Sequence, residues 1–408
     1  MSKQHDRLQR VTIKENVLQV GGRSAAQLVE IAGGTPCYVY DRNALTGRVQ
    51  SLRAAMPSEL KLHYAIKANP MPAVVHHMAG LLDGLDVASQ KEMMVAIGSG
   101  VNPEMISFAG PAKRLEELRA AVAANIVINV ESRLELERLY QLSSEMGIKP
   151  RVAFRVNPDF ELKSSGMKMA GGPKQFGIDA EQMPEVLFAL DTGKVDFCGF
   201  HIFSGSQNLN PEALIEAHDK TFELAARLSE LAPAPVKHVN IGGGLGIPYF
   251  PGETQLDIEP IAENLRKRMD ARTGSFKDSE IVMELGRYLV GEAGYYFCRV
   301  TDKKQSRGQT FLMTDGGLHH HLSNSGNFGQ VIRKNYPVLI ANRVDGEDKE
   351  RVEIVGPLCT PLDIVGAKLE LPVADVGDLV VVFQSGAYGA TASPQDFLSH
   401  PHVRELLV

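Results

Sequence analysis

Lys67 ends a short apolar run in HYAIKANP. A lysine set straight after a buried strand faces the end of that strand. Partial desolvation there can make its amine available as a nucleophile. The same residue type is also a common solvated strand-end group, so Lys67 alone assigns nothing. The run GGGLG begins with Gly242, Gly243 and Gly244. Three consecutive glycines let backbone N–H groups approach an anion closely, although a tight turn would need no more. Ser206, in SGSQ, offers a hydroxyl to the same kind of ligand. ELGR places Glu284 and Arg287 three residues apart, with Gly286 between them. Either they form a local ion pair, or Arg287 grips a phosphate or carboxylate while Glu284 holds a cationic ring nitrogen. A lysine, a phosphate cradle and a lone carboxylate are together the parts that a pyridoxal phosphate site requires.

Such a site needs elements that bring these residues to one place. Eight β-rich apolar runs recur: LHYAIK (62–67), LDVAS (85–89), ISFAG (106–110), IVINV (126–130), RVAFRVN (151–157), FCGFHIF (197–203), HVNIGGG (238–244) and IVMELG (281–286). Helix-like segments separate them at 74–82, 113–124, 132–142 and 212–231. Ser132 with Glu135 has capping-box spacing. The alternation predicts parallel strands joined by crossover helices. Eight units close a (β/α)8 TIM-like barrel, with chemistry at the strand C-termini. Lys67, the glycine run and ELGR follow the first, seventh and eighth runs. Loops after the seventh and eighth strands of such barrels are a frequent phosphate site.

The pattern changes from about residue 293 onward. Strand-like runs YYFCRVT (295–301), TFLMTDGG (310–317), RVEIVGP (351–357) and DLVVVFQSG (378–386) predict a C-terminal all-β domain, a β-barrel or sandwich. The alternating VTIKENVLQV (11–20) is expected to join it. The predicted division is a barrel over 36–290 and a β domain made of 1–35 with 291–408. The stretch 334–351 reads as an exposed loop. Within the β domain, Cys359 sits in GPLCTPLD with Asp363 four residues on, and Tyr388 lies between small residues in SGAYG. A free cysteine is usually buried and inert, but beside a cofactor it can donate a proton. The run His319, His320, His321 looks like a metal site. Neighbours on an extended chain point to opposite faces, however, and no carboxylate or cysteine stands at metal spacing. No metal is expected, and the run reads as a polar loop near the active-site mouth.

Composition narrows the class. The 408 residues carry 43 Lys and Arg against 49 Asp and Glu, a net charge of −6. That balance argues against a nucleic-acid-binding face, which needs a basic surplus. No apolar run approaches the ~20 residues that span a bilayer, and MSKQHDRLQR has no apolar signal core. The four cysteines, Cys37, Cys198, Cys298 and Cys359, make no CxxC pair and no disulfide framework. A cytoplasmic enzyme is expected, with a large binding protein as the alternative.

Taken together the motifs resemble the fold-type III pyridoxal-phosphate decarboxylases, the family of diaminopimelate and ornithine decarboxylases, over essentially the whole chain. YAIKAN is similar to the family's cofactor-lysine motif, GGGLG to its phosphate loop, ELGR to its EPGR with Leu285 for proline, and GPLCTPLD to its GPxCxxxD. The resemblance implies a carboxy-lyase using pyridoxal 5'-phosphate, with Lys67 as the Schiff-base residue, Glu284 as the pyridinium partner and Cys359 as the α-carbon proton donor. It further implies a head-to-tail homodimer with shared active sites, in which Cys359 serves the partner subunit's cofactor. Tyr388 would contact the phosphate, and Thr360, Asp363, Tyr388 and His320 would face the substrate. The sequence departs from the family pattern at three places. Thr360 replaces the acidic residue that holds a distal substrate amine. DGGLHHHLSNSGNFG lacks the Arg and Tyr that grip a distal carboxylate. Phe203, in HIFSGSQ, stands where the ring-stacking histidine is expected, with His201 two residues earlier on the same strand face. A buried ammonium without its counter-charge costs several kcal/mol, so free diaminopimelate, lysine or ornithine fit poorly. KMAGGPKQFGI, SGSQNLN, DGGLHHH, GPLCTPLD and SGAYG resemble a narrower subgroup. It comprises the butirosin-type L-glutamyl-[acyl-carrier protein] decarboxylase and the exosortase-associated decarboxylases. That implies a small amino-acid group delivered on an acyl-carrier protein; free diaminopimelate is the alternative substrate.

Overall fold

Strands rich in apolar residues on both faces have to be covered on both sides, which a closed parallel barrel achieves. The computed structural model describes residues 5, 7–8, 11–160, 167–168, 172–328, 330 and 332–408. Most of MSKQHDRLQR, residues 169–171 of KMAGGPKQFGI and the last residue of DGGLHHHLSNSGNFG lie outside these. Eight parallel strands form the barrel: β1 (Lys61–Ala65), β2 (Gly84–Val87), β3 (Ile106–Phe108), β4 (Val127–Val130), β5 (Arg151–Asn157), β6 (Asp196–Ile202), β7 (His238–Asn240) and β8 (Glu280–Leu285). Sequential neighbours pair throughout. β8 pairs with β1 and β4 with β5, so the sheet closes on itself. The register of β8 on β1 sets Glu284 beside His63 and Leu285 beside Tyr64. This brings ELGR next to the end of the strand that carries Lys67.

Crossover helices follow the strands. Ser132 caps the helix Arg133–Met146, its hydroxyl accepting from the Glu135 amide, and Gly147 ends that helix in the left-handed region. The reciprocal half of the expected capping box is absent. The Glu135 carboxylate instead accepts from Lys113 Nζ at 2.8 Å. Both side chains are almost fully buried, and a buried ammonium demands that counter-charge more strongly than the cap does. Helices Arg42–Ala55, Gln90–Gly98 and Glu259–Asp270 were not evident in the sequence pattern.

The chain divides into two units. One comprises residues 47–247 and 255–289; the other comprises 1–46, 248–254 and 290–408. The N-terminal boundary therefore falls later than residue 36. The strand Cys37–Tyr40 pairs antiparallel with Gly294–Phe297 and parallel with Arg404–Leu407, which ties it to the β unit. The hairpin of Thr12–Lys14 and Val17–Val20 joins that unit through Leu18 N–H donating to Ala341 O. Its core gathers Leu28, Val39, Phe297, Val381 and Phe383. The expectation of an exposed loop over 334–351 needs correction. Val338–Ile340 is a buried strand paired with Val380–Val382, and its Leu339 packs into that core. Among the described residues no helix is long and apolar enough to cross a membrane.

Candidate active site

Lys67 lies in the single 3-10 turn Ile66–Ala68 that continues β1. The turn packs tightly under β8: a Cβ at Gly286 would stand 2.9 Å from Ala68 Cβ. Glycine at that position lets the lysine come close to the end of β8. Lys67 Nζ donates to Glu284 Oε1 at 3.2 Å, and the ammonium lies 5.8 Å from the Phe203 ring centroid. The lysine is 45% exposed while Glu284 is 4% exposed. One partner is thus reachable from outside and the other is locked.

The second oxygen of Glu284 has its own neighbour. His201 Nε2, on β6, stands 3.1 Å from Oε2 without hydrogen-bond alignment. Burial alone would raise the Glu284 carboxyl. The Lys67 and His201 charges outweigh it and hold the group well below the ordinary carboxylate range. His201 is therefore at the site, and its ring meets Phe203 edge-on at 6.4 Å. Phe203 and His201 thus both stand within reach of the Lys67–Glu284 pair.

The glycine run lies between β6 and β8. Gly242 N–H donates to the Asn240 side chain at 2.8 Å, and Glu284 N–H donates to Gly242 O at 2.9 Å. A Cβ at Gly243 would fall 2.0 Å from Glu284 O, so only glycine fits against the β8 backbone. Gly244 has φ +86°, and its carbonyl accepts from Asn208 N–H at 2.9 Å. This laces the run to the loop that carries Ser206. The N–H groups of Gly243 and Gly244 have no acceptor among the described residues. Arg287 begins the short helix Arg287–Val290, directly after β8. Asn240 was missed in the sequence. Its signal is an Asn two residues before a turn glycine, the spacing of an Asx turn.

These residues fit pyridoxal phosphate. Two backbone donors without an acceptor among the described residues could take an anion, and a partly exposed amine stands 3.2 Å from a buried carboxylate held below the ordinary range. Gly242, Gly243, Gly244, Ser206 and Arg287 would hold the phosphate, with Glu284 and Lys67 at the ring and aldehyde ends.

In the β unit, Cys359 is the one exposed thiol among four free cysteines. Burial pushes Cys37 up to about 12 and also raises Cys198 and Cys298, leaving those three inert. Thr360 is half-buried, and its hydroxyl accepts from Leu362 N–H at 3.3 Å. Tyr388 has φ +52°, a strained value for a non-glycine residue, and its carbonyl accepts from the Ser323 hydroxyl. Asp363, expected to face substrate, is 2% exposed with its oxygens on backbone amides. Burial lifts its carboxyl above the ordinary range, against the pull of those two amides. The histidine run is no polar loop at a mouth. All three rings are buried, with His320 Nε2 2.8 Å from Pro401 O and His321 Nε2 2.9 Å from Ser385 Oγ. The chain turns here instead of running extended: His320 and His321 N–H both donate to Gly317 O, which folds the rings inward. Among the described residues no group of three or more His, Cys, Asp or Glu side chains could hold a metal ion.

An eight-stranded parallel barrel with a lysine, a glycine cradle and a buried carboxylate at adjoining strand ends, joined to a β unit, is the architecture of a fold-type III pyridoxal-phosphate enzyme. The chain belongs to the pyridoxal-dependent decarboxylases: residues 42–291 match the family's pyridoxal-binding domain. It is a carboxy-lyase, and its cofactor is pyridoxal 5'-phosphate. It is 37% identical to the L-glutamyl-[BtrI acyl-carrier protein] decarboxylase of Niallia circulans over 91% of this chain and 88% of that one. It is 31% identical to the 2-[(L-alanin-3-ylcarbamoyl)methyl]-2-hydroxybutanedioate decarboxylase of Staphylococcus aureus, covering 90% and 92%. Among solved structures, diaminopimelate decarboxylase of M. jannaschii in complex with L-lysine superposes with a TM-score of 0.86 at 29% identity, covering 98% of this chain and 93% of that one.

Proposed function

We propose that the protein removes the α-carboxylate from an amino-acid group tethered to a carrier protein, working in the cytoplasm as a homodimer with shared active sites. Bound pyridoxal phosphate supplies the sink for the electron pair left by departing CO2. With the cofactor bound, Lys67 would hold its aldehyde carbon, Glu284 would keep a proton on the ring nitrogen, and the Gly243 and Gly244 amides with Arg287 would bind the phosphate. Cys359 of a second copy delivers a proton to the α-carbon. The observation that carries the reading is the buried Glu284 carboxylate, ion-paired at 3.2 Å to a reachable Lys67 beside two glycine amides that have no acceptor among the described residues.

The tethered substrate is supported by Thr360, which offers no charge to a distal ammonium. The 37% identical relative of Niallia circulans supports it as well, being named for a glutamyl group on an acyl-carrier protein. A second reading, decarboxylation of free diaminopimelate, is supported by the solved structure of that activity at TM-score 0.86. Two experiments test the proposal. Lys67→Ala is expected to lose the visible absorption band of lysine-bound cofactor; a persistent band rejects the assignment. CO2 release is expected with aminoacyl-carrier protein and not with free diaminopimelate. Turnover of the free acid alone rejects tethering.

A further inference from the structure

Asp363 closes the GPLCTPLD segment in a manner that the sequence does not show. Its Oδ1 accepts from Leu318 N–H at 2.6 Å and its Oδ2 from Leu358 N–H at 2.8 Å. The first donor belongs to the turn that follows Asp315-Gly316-Gly317; the second belongs to the residue before Cys359. Two glycines leave space for the carboxylate. A Cβ at Gly317 would stand 2.2 Å from Oδ1, and one at Gly356 would stand 2.3 Å from Oδ2. The backbone closes the same loop. Gly356 N–H donates to Asp363 O, Asp363 N–H to Thr360 O, and Thr360 N–H to Leu358 O. Cys359 is the exposed apex of this loop, and Asp363 is its buried base.

We propose that Asp363 is a positioning residue for proton delivery: its carboxylate pins the turn bearing Cys359 to the Gly317–Leu318 turn and so fixes where the thiol points. The inference rests on the reading of Cys359 as the acid. In that step the carbon–carboxylate bond breaks, its electron pair stays with the substrate, and the thiol proton moves to the α-carbon, leaving a thiolate. With the thiol displaced, solvent would supply the proton at a different carbon, and water would then release an aldehyde in place of the amine product, leaving the amine form of the cofactor.

Asp363→Asn keeps the shape but turns an NH2 donor toward one of the two amides, releasing one turn. Displacement of a catalytic group by about 1 Å costs on the order of 10²-fold in rate, so kcat is expected to fall ten- to a hundredfold with KM within twofold. The holoenzyme should also accumulate amine-form cofactor during turnover, seen as loss of its visible band. The rate at which a thiol reagent labels Cys359 should change severalfold. Asp363→Glu keeps both acceptors on a longer arm and is expected to show a milder form of each effect. It also replaces the Asn variant if that does not fold. Cys359→Ala is the reference. If it leaves the product partition unaltered, the acid reading fails and the proton-delivery role falls with it. If Cys359→Ala diverts turnover but the Asp363 variants keep wild-type partition and labelling rates, whatever their melting temperatures, the positioning role alone is overturned.

Discussion

Replacing Gly243 by alanine tests whether the glycine run and Glu284 form one unit. The added methyl would fall 2.0 Å from Glu284 O and 2.8 Å from Leu285 Cδ2. The leucine can rotate away, but the carbonyl cannot. Ordinary contact begins near 3.4 Å, so the β8 backbone must retreat by about 1.4 Å, the difference between the two distances. That backbone is tied to Gly242 by the Glu284 N–H bond, and the same residue's carboxylate holds Lys67 at 3.2 Å. The displacement therefore reaches both ends of the cofactor site. Overpacking of this kind costs about 1–3 kcal/mol. Losing one hydrogen bond to a charged phosphate costs about 1.5–3 kcal/mol more, a factor of roughly ten to a hundred and fifty in affinity. The apparent Kd for pyridoxal phosphate, read from visible absorbance, should rise at least about tenfold. At saturating cofactor, kcat should fall on the order of 10²-fold. Gly98→Ala, where a methyl meets nothing within 4 Å, is the control and should change neither. A Gly243→Ala enzyme within twofold of wild type in both quantities would refute the argument.

Two further predictions concern stability. Lys113→Met leaves the Glu135 carboxylate buried without its partner, and breaking such a pair costs about 3–5 kcal/mol. Scanning calorimetry should show the barrel transition lowered by roughly 6–20 °C, with Lys113→Met/Glu135→Met recovering part of the loss. A single variant that melts like wild type contradicts this. Acid should also destabilise the fold through His218 and His321, whose pKa values burial lowers to about 4 and about 3 from 6.5. The folded values lie below the unfolded one, so the unfolded chain binds more protons once pH drops under 6.5. Their contribution is full above that pH and is lost as pH falls toward the folded values. Each is expected to remove about 1.4 kcal/mol per pH unit in that window. His218→Phe should flatten the melting temperature between pH 6.5 and 4, and an unchanged slope rules His218 out.

Much of this molecule is legible locally. A parallel barrel strand is a short apolar run bounded by turn and helix signals, and seven of the eight were placed within two residues at each end, the run at 238–244 overshooting the strand His238–Asn240 by four, because that signal needs no knowledge of the partner strand. The lysine, the glycine run and ELGR were equally legible, since each follows its strand directly and a strand C-terminus in a closed barrel always faces one end. Tertiary structure decided the rest. CYVY is as apolar as any barrel strand, yet Cys37–Tyr40 pairs with Gly294–Phe297 in the β unit, and no local pattern names that partner. The burial of His319–His321 and of Asp363 was likewise hidden, because polar residues in a turn read as exposed until distant amides and carbonyls arrive to satisfy them. Sequence alone put His201 among the cofactor contacts but left its role open. Its closeness to Glu284 follows from the way β6, β7 and β8 close against one another, and closure is a property of the whole sheet, not of any one strand.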